Sequence, residues 1–150
     1  MKYLPIILAF FALTYILPAN LNAESSEPNM SNDQDLKSMP ESYWKEKLTP
    51  EQYHVCREGG TERPFSGKFV HNKEHGTYTC AGCGQELFSA DTKFDSGTGW
   101  PSFSDVMNSK NVVLQEDNSH GMHRIEVLCA KCGAHLGHVF NDGIIYYYRQ

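Results

Sequence analysis

Apolar and polar positions divide the chain into three stretches. Leu4 to Leu17 is almost continuously apolar, too short to cross a bilayer comfortably, and is followed by small residues ending at Ala23. Glu24 to about Pro40 is polar and reads as a flexible tether. From Glu41 onward apolar residues return as isolated anchors: Tyr43, Trp44, Leu48 and Tyr53 come first. Thr49-Pro50-Glu51-Gln52 begins a helix, with threonine as cap, proline in the first turn and glutamine three residues after the cap. It is expected to run to about Cys56. Beyond Gly59-Gly60 the pattern changes to short apolar segments broken by Gly, Pro, Asn and Asp. Gly76 to Cys80, Gln85 to Phe88, Val112 to Glu116, Met122 to Leu128, His138 to Phe140 and Ile144 to Tyr148 are the strand candidates. A mainly antiparallel β domain over 41–150, with short N-terminal helices, is the expected fold.

The first stretch changes the picture of location. One lysine, an apolar run and a small-residue exit describe a secretory signal peptide over 1–23, cleaved near Ala23, and a periplasmic or secreted protein. The alternative is an uncleaved anchor. The formal net charge is −5 and becomes −6 without that segment. Such a balance argues against a nucleic-acid partner, because phosphate binding needs clustered Lys and Arg.

Cysteine spacing carries the first chemistry. Four of the five cysteines form Cys80-Ala-Gly-Cys83 and Cys129-Ala-Lys-Cys132, each followed by a glycine. Two matched knuckles of this kind suit one tetrahedral zinc ion. Export would also permit two disulfides, but a disulfide framework needs no such symmetry. Four thiolates leave no coordination position for water, so the ion is expected to be structural, stapling the stretch Gly84 to Leu128. Only Cys56 remains for thiol chemistry. Arg57 beside it can lower its pKa; a lone buried cysteine is the plain alternative.

Two further segments are chemically dense. Lys93-Phe-Asp-Ser-Gly-Thr-Gly-Trp-Pro-Ser-Phe103 places Trp100 between Gly99 and Pro101, where it can wall a small-ligand pocket or serve as an ordinary core residue. His135-Leu-Gly-His138-Val-Phe-Asn-Asp142-Gly143 offers two histidines and an aspartate for acid–base work or a second metal. Packing against the zinc lobe and a plain turn are the alternatives.

These segments, with Tyr53-His-Val-Cys-Arg-Glu-Gly-Gly-Thr-Glu62 and Ser119-His-Gly-Met122, resemble methionine sulfoxide reductase B in order and content over about Ser42 to Gly143. The resemblance implies two antiparallel sheets with one structural Zn2+. It implies reduction of the R epimer of methionine sulfoxide in proteins by a monomer that a thioredoxin-like reductant recycles. It assigns Trp100 and Phe103 to the substrate, and His135, His138 and Asp142 to orienting water and protonating the oxyanion. Two departures stand out. Thr98 occupies a place where many members carry a resolving cysteine, and Cys56 stands where some members carry it instead. The family's nucleophilic cysteine, in an Arg-Tyr-Cys strand after the Asp-Gly turn, has no counterpart in Ile144-Ile-Tyr-Tyr-Tyr-Arg-Gln150. The resemblance therefore implies a domain truncated at its catalytic strand, with impaired activity or a remaining role as an inactive, zinc-stapled binder of oxidised methionine.

Overall fold

A computed structural model describes residues 35–140 and 145–147. The expected signal peptide, most of the tether and Asp142 lie outside the described residues. Two short helices open the fold, α1 (Glu41–Lys47) and α2 (Pro50–Glu58). The start of α2 is built as its sequence predicts. Thr49 Oγ1 accepts from the Gln52 N–H at 3.2 Å, and Gln52 Oε1 accepts from the Thr49 N–H at 3.1 Å. A cap of this kind is worth about 1 kcal/mol. The helix runs two residues further than expected, to Glu58, because the chain stays helical until Gly59.

Among the described residues eight strands follow, in two antiparallel sheets. β1 (Thr77–Thr79) and β2 (Glu86–Ser89) form a two-stranded ribbon. The larger sheet runs β3 (Lys93–Phe94), β4 (Ser102–Phe103), β8 (Ile145–Tyr147), β7 (His135–Phe140), β6 (Arg124–Cys129) and β5 (Val112–Asp117), in that spatial order. The mainly β architecture with two antiparallel sheets and short leading helices is thus the one expected. β3 and β4 have two residues each, too few to show an alternating pattern in sequence. β7 begins three residues before its expected start.

Ile145–Tyr147 pairs with both β4 and β7 and so fills the sheet between them. Its residues are Ile-Tyr-Tyr and include no cysteine.

One buried cluster joins helices, ribbon and sheet: Trp44, Leu48, Cys56, Tyr78, Leu87, Phe88, Phe103, Val127 and Leu136, together with the knuckle cysteines. Leu36 and Met39 also pack against it, ahead of the Glu41 at which the domain was expected to begin. Phe103 stacks on Phe88 at 4.5 Å between centroids and meets Tyr78 edge-on at 4.8 Å. These offset and edge contacts are the arrangements that aromatic quadrupoles favour.

Candidate functional site: a four-cysteine centre and an oriented histidine pair

The two knuckles are the turns of the two hairpins. Cys80–Cys83 closes β1 onto β2, and Cys129–Cys132 closes β6 onto β7. They are geometric copies. The Gly84 N–H donates to Cys80 O and the Gly133 N–H to Cys129 O, both at 2.8 Å, and both glycines take φ +72°. A side chain at either position would be strained, which is why a glycine follows each pair.

The four sulfurs lie within 4.8 Å of one another. Cys80 and Cys132 Sγ are 3.6 Å apart, and Cys83 and Cys129 Sγ 3.5 Å. A tetrahedron with zinc–sulfur bonds of about 2.3 Å has edges of about 3.8 Å, so the donors are clustered at the scale a Zn2+ ion requires. None of the four is in a disulfide. The helices buttress this centre. The Trp44 ring packs so closely on Gly82 that a Cβ there would lie 3.3 Å from it and 3.5 Å from Cys132 Sγ. Arg57 stacks over Trp44 at 5.0 Å, donates to Cys132 O at 3.1 Å and pairs with Glu41 at 2.7 Å. The four-cysteine set is closed to water and its ion is structural.

Cys56 sits on α2 with its side chain in the core, 5% exposed. Burial pushes its thiol up to about 11; Arg57 pulls the other way and loses. The activating effect expected of Arg57 is present in sign and is outweighed by burial. In the described structure Cys56 is a neutral, enclosed thiol.

His135 and His138 are both 4% exposed, and their rings meet edge-on at 5.3 Å. Residues three apart in a regular strand face opposite sides. Here the register shifts between Val127 and Leu128: Val127 faces Gly137, while Leu128 faces His135. The extra residue on β7 is Leu136, whose side chain enters the core, and the bulge turns both imidazoles to one side. Carboxylates from the neighbouring strands hold them. His135 Nδ1 meets Glu126 Oε1 at 2.5 Å, and His138 Nε2 meets Asp117 Oδ2 at 2.8 Å. Asp117 also takes the Arg124 guanidinium, and its Oδ1 accepts from the Ser119 N–H. Hydrogen bonds from Ser119 first, then from His138 and Arg124, hold its carboxyl well below the usual range. A carboxylate only accepts, so each imidazole donates from the named nitrogen. The tautomers follow: the proton sits on His135 Nδ1 and on His138 Nε2, the nitrogens that face the carboxylates.

Glu126, Asp117 and Arg124 are absent from the candidates read from sequence. A signal was available: pairing Val112–Asp117 with Arg124–Cys129 as a hairpin sets Asp117 opposite Arg124, as observed.

Trp100 lies half-buried on the loop between β3 and β4, its Nε1 donating to Glu62 O at 3.1 Å. β8 stands between β4 and β7, which puts those strands about 10 Å apart. Phe103, expected beside Trp100 on the substrate, is a core residue with 0% exposure; it shares β4 with Ser102, and its ring points into the aromatic cluster. A groove of about 590 Å3 opens elsewhere, between α2 and residues 61–68, and includes neither Trp100 nor the histidines.

With this geometry in hand, known proteins supply the family. The SelR domain model matches residues 48–148. This chain belongs to the SelR family, the methionine sulfoxide reductase B oxidoreductases. It is 70% identical over 103 residues to a Methanosarcina mazei protein named peptide methionine sulfoxide reductase MsrB, covering 69% of this chain and 74% of the relative. It is 58% identical over 100 residues to a Leptospira interrogans protein of the same name, covering 67% and 76%. A mouse protein, methionine-R-sulfoxide reductase B3, mitochondrial, is 54% identical over 99 residues, covering 66% of this chain and 39% of the relative. The SelR match begins at Leu48 and so includes Cys56, both knuckles, Trp100 and the whole histidine cluster.

Proposed function

We propose that this SelR domain recognises the R epimer of methionine sulfoxide in oxidised proteins, and that residues 1–150 alone reduce it poorly. The observation that carries this reading is the histidine pair, held in one orientation by two carboxylates from neighbouring strands. Positioned imidazoles of this kind can protonate a sulfoxide oxygen as its bond to sulfur weakens. Trp100 supplies the apolar surface for the substrate's methyl group, and Asp142 would join the donors.

In the family's chemistry a cysteine thiolate attacks the sulfoxide sulfur. The oxygen passes to the cysteine as sulfenic acid, and methionine leaves. A second thiol then condenses with the sulfenic acid, releasing water and forming a disulfide, which a thioredoxin-like dithiol reduces. Four of this chain's sulfurs belong to the metal centre, and the fifth, Cys56, is enclosed and neutral. That arrangement suits Cys56 to resolving, after local opening, better than to attack. Binding without turnover, by a zinc-stapled monomer, is the function these residues support by themselves. The apolar Leu4 to Leu17 and the small-residue exit at Ala23 support export to the periplasm or beyond. Among the described residues no helix is long and apolar enough to cross a membrane.

The test pairs turnover with binding. With dithiothreitol and an N-acetylated R-sulfoxide, the 150-residue protein is expected to turn over roughly a thousandfold or more below an intact relative, the usual cost of a missing nucleophile. Calorimetry should still detect R-sulfoxide and not the S epimer. Turnover at a relative's rate would sink the impaired reading, and equal affinity for the two epimers would sink the recognition reading.

A further inference from the structure

Phe65 has no role in the fold or in the reaction above, yet it is held in place at a cost. Its φ is +65°, the left-handed region, which disfavours a bulky L-residue by about 1–2 kcal/mol. Its side chain is 61% exposed, so burial does not offset that strain. The restraint comes from the Trp100 loop. The Phe65 N–H donates to Gly99 O at 2.7 Å. The ring lies flat enough on Gly99 that a Cβ there would sit 2.9 Å from Cδ2 and Cε2, and 2.8 Å from Pro64 Cβ. Only glycine permits this approach, and Gly99 is itself at φ +91°. On the other side of Phe65, Trp100 Nε1 reaches back to Glu62 O. The two loops are therefore laced together on both sides of Phe65, and they present its ring one residue away from Trp100. Strained backbone combined with an exposed aromatic ring, both fixed to a ligand-bearing loop, is how recognition surfaces are built.

We propose that Phe65 is a specificity-determining residue: its exposed ring is a platform for an apolar side chain one or two positions from the methionine sulfoxide in a peptide. This rests on the reading that places the sulfoxide's methyl group at Trp100. Gly99 and Trp100 are one Cα step of about 3.8 Å apart, the same step that separates neighbouring residues of a peptide substrate, so a flanking side chain reaches the ring. The ring carries no charge or hydrogen-bonding group, so it selects apolar and aromatic neighbours and contributes nothing to a single sulfoxide residue.

The probes are three R-sulfoxide ligands: N-acetyl methionine sulfoxide amide, a peptide with glycine on both sides, and the same peptide with phenylalanine on both sides. The wild-type protein should bind the phenylalanine-flanked peptide about five- to tenfold tighter than the glycine-flanked one, the strength of one aromatic contact. Phe65→Gly should abolish that ratio, leave the single-residue probe unchanged, and melt no lower than wild type, since glycine relieves the left-handed backbone while removing the ring. Phe65→Leu should retain part of the ratio. Phe65→Gly with the ratio intact would overturn the proposal. So would a Phe65→Gly protein that melts markedly lower and loses the single-residue probe as well, because the ring would then be structural. Wild-type protein that binds sulfoxides without any flanking preference refutes this inference alone; failure to bind any sulfoxide refutes the Trp100 reading and this inference with it.

Discussion

The two ends of the β6–β7 hairpin solve the problem of placing side chains in different ways. At the turn, Cys129–Cys132 is positioned by local backbone: a two-residue spacer, a glycine at φ +72° and hydrogen bonds within the knuckle itself. Along the strands, His135 and His138 are positioned by register, a bulge and partners drawn from β5 and β6. The first kind of placement is specified by residues adjacent in sequence. The second exists only when the sheet is assembled, and the knuckle, ending three residues before His135, is what fixes the start of β7. The histidine network can therefore be broken without touching the metal centre, but the histidines lose their places once the metal centre is lost.

Metal removal should give the largest effect. A structural zinc supplies about 10 kcal/mol or more to small domains whose site does not exist in the unfolded chain. Cys83→Ser, or a strong chelator at raised temperature, is expected to lower the melting temperature drastically and to dissolve the β signal in far-ultraviolet circular dichroism. Zinc content should fall from one equivalent towards zero. A chelated protein that keeps its melting temperature would separate the two ends of the hairpin and break the comparison.

That asymmetry also explains what could be read from the chain. The knuckles, the Thr49 cap and the longer strands are governed by residues adjacent in sequence, and each is found near its expected place. The histidines were visible as chemistry, but their carboxylate partners were not, because Asp117 is 21 residues from His138 and meets it only across two strand registers. Phe103 was misplaced for a related reason. In composition it belongs to the Trp100 segment, yet side chains alternate along β4, and register against Tyr146 of β8 is invisible in a two-residue strand. Burial likewise decided Cys56: sequence shows Arg57 beside it but not the core that encloses it.

An intermediate effect should come from Asp117→Asn, which tests register-based placement directly. The substitution keeps the shape but removes the charge that Arg124 and His138 share, and should lower the melting temperature measurably but far less than loss of the metal. Its pH signature has a definite sign. The folded pKa of Asp117 lies below its unfolded value near 3.8, so its contribution is complete above that pH and is lost as pH falls through the folded pKa. Wild-type and Asp117→Asn stability curves should thus converge on acidification below about pH 4. A proton spectrum in which the His138 ring signals move while zinc content is unchanged would confirm that the turn does not depend on the strand end.

The smallest effect concerns Cys56, and it sharpens where the boundary between the two regions falls. Cys56 packs in the core beneath the knuckles, and burial raises its thiol to about 11. A raised folded pKa means that the folded state holds the proton after the unfolded state has released it. The associated stability is therefore complete below about pH 9 and is lost as pH rises from 9 through 11. In the zinc-loaded protein at pH 7.5, iodoacetamide should modify Cys56 much more slowly than a free cysteine. The rate should rise towards pH 11 or on chelation, and Cys56→Ala should change the melting temperature by only a few degrees. Rapid labelling at neutral pH with zinc still bound would mean that α2 lifts from the core without the staple opening. Cys56 would then belong to the mobile, reactive side of the molecule, and a resolving role would need no opening of the metal lobe. Slow labelling that accelerates only when zinc leaves ties Cys56 to the knuckles, so that access to the one uncommitted thiol is controlled by the centre that commits the other four.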